Sequence, residues 1–221
     1  MDDLILVAAS GLARETAHAA HASGRFRVTG MVDDDPARWG STVGGFPVLG
    51  GLDVVTDDPG PRLVVCAGRG ADREQVVSRL QALGVPDERY ATVVHPSVDL
   101  PPTCSVGAGS ILLAHVALTA DVSVGAHVVV MPNATLTHDD AVADYATICA
   151  GVSLAGGVDI GAAAYVGANA SVREGVSIGI GATVGMGAAV LSDVPEGKVW
   201  AGVPAVPFKR AAVGTPQTHP E

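Results

Sequence analysis

Aromatic side chains are scarce: three Phe, three Tyr and two Trp make up 4% of 221 residues, although 48% of the chain is hydrophobic. A core of that make-up has to be filled by rows of aliphatics, not by large rings. Cysteine is also sparse. Cys66, Cys104 and Cys149 are odd in number, far apart and without C-x-x-C spacing. That speaks against a disulfide framework and against a thiolate metal site, and it fits a reducing cytoplasm. Thirteen basic residues stand against 23 acidic ones, a net charge of −10. Neither nucleic acid nor an anionic membrane is therefore expected as the main partner. The only apolar run near the start, Leu4 to Ala9, follows two aspartates and is too short to be a signal peptide or a membrane span.

What the chain does have is a beat of six. From Val94 through Leu100, Val106 and Leu112 to Val190, every sixth residue is Val, Ile or Leu, without a gap. A second register two places earlier is mostly small, as at Cys104, Ser110, Ala134, Ala146, Ala164 and Ala182. Glycine follows the aliphatic at Gly107, Gly125, Gly161, Gly167, Gly179 and Gly185, read here as positions that need glycine's backbone angles. This period is neither that of a helix nor that of an amphipathic strand. It predicts a parallel β-helix of hexapeptide repeats, three repeats to a triangular coil, over residues 94–192. About five and a half coils at roughly 4.8 Å each give a prism roughly 25 Å tall.

Ahead of the prism, strand and helix signals alternate over residues 1–93. Leu4 to Ala9, Val28 to Val32, Leu63 to Ala67 and Tyr90 to Val94 read as strands. Ser10 caps a helix reaching about Ser23, and an Asp72–Gln75 capping box opens a second helix that Gly84 closes. This is the pattern of a small Rossmann-like α/β domain with a parallel sheet. Its ligands are expected at the carboxyl ends of the strands, where Ser10-Gly11 and Asp33-Asp34 lie. The first turn can offer N–H groups to an anion, and an acid after the second strand can accept from a ribose hydroxyl. No full G-x-G-x-x-G is present, so an ordinary strand–turn–helix with a solvated acidic turn is the alternative. Residues 193–221 bring one more short strand, Lys198 to Ala201, and a tail whose Lys209 and Arg210 form a small basic spot.

The candidate for chemistry is His138. It follows the inward Leu136 by two places, so it should project from a corner, with Asp139 and Asp140 directly after it. A carboxylate beside an imidazole fixes its tautomer, as a general base requires. The plain alternative is an exposed histidine beside two solvated acids. His95, His115 and His127 do not stack with His138 at the 18-residue coil spacing, so no metal site is expected. His18 and His21 read as the solvent face of the first helix, and Cys104 and Cys149 as packing residues.

Taken together, the prism, the α/β domain before it, Thr137-His138-Asp139 and Gly202-Val203-Pro204-Ala205 resemble the bacterial acetyltransferases of sialic acid and nucleotide-linked amino sugars, within the hexapeptide-repeat acyltransferase superfamily. The resemblance covers roughly residues 4–210. It implies a left-handed coil, a cytoplasmic homotrimer and active sites in clefts between neighbouring prisms. It further implies acetyl-CoA as acyl donor, without a metal. His138 would deprotonate the hydroxyl or amine of a sugar or sugar-like acceptor, with Asp139 orienting the imidazole and backbone N–H groups near Gly156 holding the oxyanion. Gly156, Ala168 and Met186 match positions that contact the cofactor. Lys209 or Arg210 could meet a CoA phosphate by charge alone. Thr147 stands where relatives have a second histidine close to the acetyl group, and Leu12 where many have histidine in the first turn. Ser10, Gly11, Asp33 and Asp34 correspond to the nucleotide-sugar site. Two other functions remain open: an acyltransferase that tailors a secondary metabolite with a decayed nucleotide site, and a non-catalytic trimeric binding scaffold.

Overall fold

The computed structural model describes residues 1–208; Lys209, Arg210 and the rest of the tail lie outside the described residues. Strand β1 (Asp2–Val7) runs between β2 (Phe26–Val32) and β5 (Arg62–Val65) in a parallel sheet of order β2-β1-β5. Leu4, Ile5, Leu6 and Val7 are buried, as a central strand covered on both faces requires. Helix α1 (Gly11–Ser23) starts on Ser10, whose Oγ accepts from Ala13 N, and ends on Gly24 at φ 66°. Between β2 and β5 the glycine-rich loop folds a small hairpin, β3 (Thr42–Val43) with β4 (Phe46–Pro47), followed by one short turn of helix, α2 (Val54–Asp57).

Helix α3 (Gly70–Ala82) departs from the sequence reading. It begins at Gly70, two residues before Asp72, with Arg69 at its N-cap, and no side chain caps it, so the Asp72–Gln75 box does not form. The reason is contact with the prism. A Cβ on Gly70 would come within 2.9 Å of Ala163 Cα and nearer still to Tyr145 O, so glycine lets the helix start flush against the β-helix. The segment expected as one strand from Tyr90 to Val94 is divided as well. Tyr90 bridges to Leu63 in the first sheet, whereas Val93–Val94 pairs with Ile111–Leu112 as the first rung of the prism.

From there to residue 201 the chain winds a parallel β-helix with three faces, each strand hydrogen-bonded to the one 18 residues on until the last coil, where Thr183 pairs with Val199. One face carries Val129–Val130, Thr147–Ile148 and Tyr165–Val166; the next Thr135–Leu136 and Ser153–Leu154; the third Ala141–Val142 and Asp159–Ile160. They are called here the Thr147, Thr135 and Ala141 faces. The inward row from Leu112 to Val190 is at most 3% exposed at every sixth position. Leu100 breaks the row, 41% exposed, because the first coil is only partly formed there, with a single bridge from Asp99 to Ala117. The glycines after the aliphatics serve close approach, not unusual angles: Gly161 has no positive φ, yet a Cβ there would meet the Ile180 amide at 2.6 Å. Positive φ falls two residues later in the repeat, at residues such as His127, Asn133, Asp139 and Tyr145.

The α/β layer docks on the Thr147 face and on the edge between it and the Ala141 face. Arg73 of α3, fully buried, is the bolt. Its Nε donates to His127 O, Nη1 to Ala67 O and Gly68 O, and Nη2 to Tyr145 O, Ala146 O and Thr147 Oγ1, at 2.7–3.1 Å. Burial pushes its pKa down to about 10, but a guanidinium with its donors satisfied stays charged at neutral pH.

Candidate active site

His138 lies on the edge between the Thr135 and Ala141 faces, opposite the face that carries the α/β layer. Its side chain is 68% exposed, and its Nδ1 sits 2.8 Å from Asp139 Oδ2. Asp139 takes the left-handed position of the repeat at φ 64°, which turns its carboxylate back along the corner toward the imidazole. With a carboxylate as partner, Nδ1 carries the proton and Nε2 is left as the acceptor. One coil further on, the ring lies over Gly156. A Cβ there would come within 2.8 Å of Nδ1 and closer to Cε1 and Nε2, so the absence of a side chain makes the space the imidazole occupies. The Gly156 carbonyl accepts from Gly175 N at 3.0 Å, while its own N–H donates to no protein acceptor among the described residues.

The two acids after His138 are not alike. Asp140, solvated only in the plain alternative reading, is fully buried, and burial raises its pKa to about 6 against two backbone N–H bonds that lower it. Sequence reasoning passed over it because it occupies the small-residue register, six places after Ala134; counting that register through is the signal that finds it.

The remaining candidates are spread over the molecule. Ala168 and Met186 stack one coil apart on a second edge, between the Thr147 and Thr135 faces, with Met186 81% exposed. Thr147 lies under the α/β layer, 2% exposed, its hydroxyl donating to Gly68 O at 3.0 Å and accepting from Arg73; it is an anchor between layers, and its hydroxyl is not free for a cofactor. Lys209 lies outside the described residues. At the ends of the parallel strands, Ser10 Oγ donates to Cys66 O at 2.8 Å, and the Gly11 and Leu12 N–H groups have no protein acceptor among the described residues. Asp33 accepts from Ala9 N at 2.8 Å and Asp35 N at 2.9 Å, and Asp34 forms a two-pronged ion pair with Arg79. The acidic pair is thus engaged within the chain. Leu12, Gly68 and Arg69 face Met131, Thr147, Cys149 and Tyr165 across a cavity of about 350 Å³. Among the described residues no group of three or more His, Cys, Asp or Glu could hold a metal ion, and no helix is long and apolar enough to cross a membrane.

No family model and no curated protein matches the chain. Solved structures do. The acetyltransferase domain of PglB from Neisseria gonorrhoeae FA1090, in complex with acetyl coenzyme A, is 29% identical, with a TM-score of 0.84 over 94% of this chain and 99% of that one. PerB from Caulobacter crescentus, in complex with CoA and GDP-perosamine, is 29% identical with a TM-score of 0.86 over 95% and 98%. The GDP-perosamine N-acetyltransferase of the same organism, with a histidine replaced by alanine, matches at 28% and 0.86. The chain's structural neighbours are sugar acetyltransferases of the left-handed β-helix, hexapeptide-repeat superfamily. That likeness supplies the hand of the coil, and both layers of the chain share in it, since each alignment spans at least 94% of the residues. A left-handed hexapeptide coil is an exception to the right-handed rule for parallel crossovers.

Proposed function

We propose that the protein is an acetyl-CoA-dependent acyltransferase acting on an amine or hydroxyl of a sugar or nucleotide-linked sugar, with His138 as general base. One observation carries this reading: an exposed imidazole, bonded through Nδ1 to Asp139, presents Nε2 over the space left by Gly156. His138 Nε2 takes the proton of the acceptor as its nitrogen or oxygen attacks the thioester carbon. The unpaired Gly156 N–H stabilises the oxyanion that forms. Asp139 holds the imidazolium in place until its proton passes to the sulfur of the departing CoA as the C–S bond breaks.

Within one protomer the parts do not meet. His138 and Gly156 stand on one edge, Ala168 and Met186 on another, and the first turn of the α/β layer beside the face opposite His138. A donor that touches both edges has to lie between two prisms, which supports a homotrimer with its sites in the clefts. Three thiols, all free, suit the reducing cytoplasm. A second reading draws on Asp33 and Asp34, whose carboxylates are committed to the chain's own amides and to Arg79: the acceptor is a small metabolite without a nucleotide. Calorimetry separates the two, since heat on adding a GDP- or UDP-sugar supports the first and none supports the second. The mechanism is tested by His138→Ala, which should lower acetyl transfer at least about 100-fold while acetyl-CoA still binds. Unchanged transfer would remove the base from the scheme.

A further inference from the structure

We propose that Asp140 is a positioning residue for the His138–Asp139 pair, and that it acts by taking one rung out of the β-helix ladder. The inference rests on the reading of His138 as the base. Asp140 stands in a column whose members one coil below and above are Val122 and Val158, all three buried. No cationic side chain among the described residues forms an ion pair with it. A lone carboxylate at a place that valine fills elsewhere works against stability, and a feature of that kind is a pointer to function.

The hydrogen bonds show what the carboxylate does. At the equivalent place in three other coils of this edge the amide donates upward: Thr119 N to Leu136 O at 3.1 Å, Ala155 N to Val172 O and Arg173 N to Val190 O at 3.0 Å. Thr137 N departs from this pattern and turns back to Asp140 Oδ2 at 2.7 Å. The carbonyl it leaves, Leu154 O, receives the Thr137 hydroxyl at 3.0 Å instead. Oδ1 of Asp140 meanwhile accepts from Val158 N of the next coil at 2.9 Å. The corner Thr137-His138-Asp139 is therefore closed on itself through one carboxylate and tied to the coil above through the other oxygen. The titratable side chains that face Asp140 are His138 and Asp139 themselves. Asp140 reaches neither donor nor acceptor; it acts through the pair.

Asp140→Val restores the column of valines and frees Thr137 N to take Leu154 O. Val158 N loses its acceptor while an unpaired carboxylate leaves the column, so the thermal midpoint should stay close to wild type and the KM for acetyl-CoA within a few-fold. With a GDP-amino-sugar as acceptor, kcat should fall about 10- to 100-fold, the size expected for a misplaced catalytic group. In protein labelled with ¹⁵N-histidine, the His138 signals should move from a fixed Nδ1–H tautomer toward an average of both. Asp140→Asn keeps one of the two acceptor bonds and should recover part of both effects. Two results would overturn the proposal: Asp140→Val with wild-type kcat and tautomer, or a loss of kcat matched by a fall in the thermal midpoint, which would make Asp140 merely structural. The tautomer is read without donor or acceptor. A wild-type protein that turns nothing over would count against the proposed function and leave the test of the corner intact.

Discussion

Gly156→Ala isolates the geometry of the active corner from the stability of the fold. Gly156 has no positive φ, so alanine fits its backbone, and the collision falls on a single group. The added Cβ lies within 2.8 Å of His138 Nδ1 and nearer to the other two ring atoms, whereas ordinary contact begins at 3.4 Å. The imidazole has to retreat by roughly 1 Å, and a misplacement of that size costs about 100-fold in rate. Because His138 is 68% exposed, the ring can swing into solvent cheaply, breaking the 2.8 Å bond to Asp139. Stability should then change by less than about 1 kcal/mol. The assay is release of free CoA thiol from acetyl-CoA in the presence of a GDP-amino-sugar, beside thermal unfolding of the same preparation. Wild-type kcat in Gly156→Ala would refute the placement of His138 over this glycine. So would a loss of rate that only follows a loss of fold.

Arg73→Met withdraws the guanidinium that serves His127, Ala67, Gly68, Tyr145, Ala146 and Thr147; it should lower stability by about 3 kcal/mol, read as a shift of the urea midpoint, and an unshifted midpoint would deny that Arg73 bolts the layers together. The pH dependence of stability holds two opposed contributions. His127, stacked on Tyr145, has its pKa pushed down to about 4 by burial, so its stabilising contribution is complete above about pH 6.5 and is lost as pH falls toward 4. Asp140, raised to about 6, keeps a proton that the unfolded chain releases near 4, so it costs stability as pH rises from 4 to 6. Each is on the order of 3 kcal/mol at most, and in the wild type they largely offset. Relative to wild type, His127→Phe should lose stability as pH rises from 4 to 6, and Asp140→Val should gain it. Urea unfolding at intervals of half a pH unit checks this, and profiles parallel to wild type would contradict it.

The prism was legible because its inward position recurs every six residues and nothing but burial has to be satisfied there. Where burial fails, at Leu100 on the unfinished first coil, the pattern misleads. His138 was legible for the same reason, since counting from Leu136 puts it outside. Asp140 was missed because its register is otherwise small or apolar; counting that register residue by residue brings out the acid, but its bonds to two amides belong to the folded coil. Arg73 had a local cue in its spacing from Val77 and Leu80 on the buried side of α3, but its acceptors come from residues 54 to 74 places away as well as from the turn beside it. The Asp72–Gln75 box is a true local preference that contact with the prism overrides. The acids at Asp33 and Asp34 were placed correctly at a strand end, and the bond from Asp35 N to Asp33 is a local turn, but Ala9 and Arg79 are 24 and 45 residues away and depend on the folded sheet.

A crystal structure with acetyl-CoA bound would put donor, base and neighbouring chain in a single view. It should show a trimer in which the thioester carbon comes within about 4 Å of His138 Nε2 of one protomer, while the rest of the donor runs along Ala168 and Met186 of its neighbour. A donor bound far from His138, or an imidazole left facing open solvent with no second chain beside it, would contradict the account.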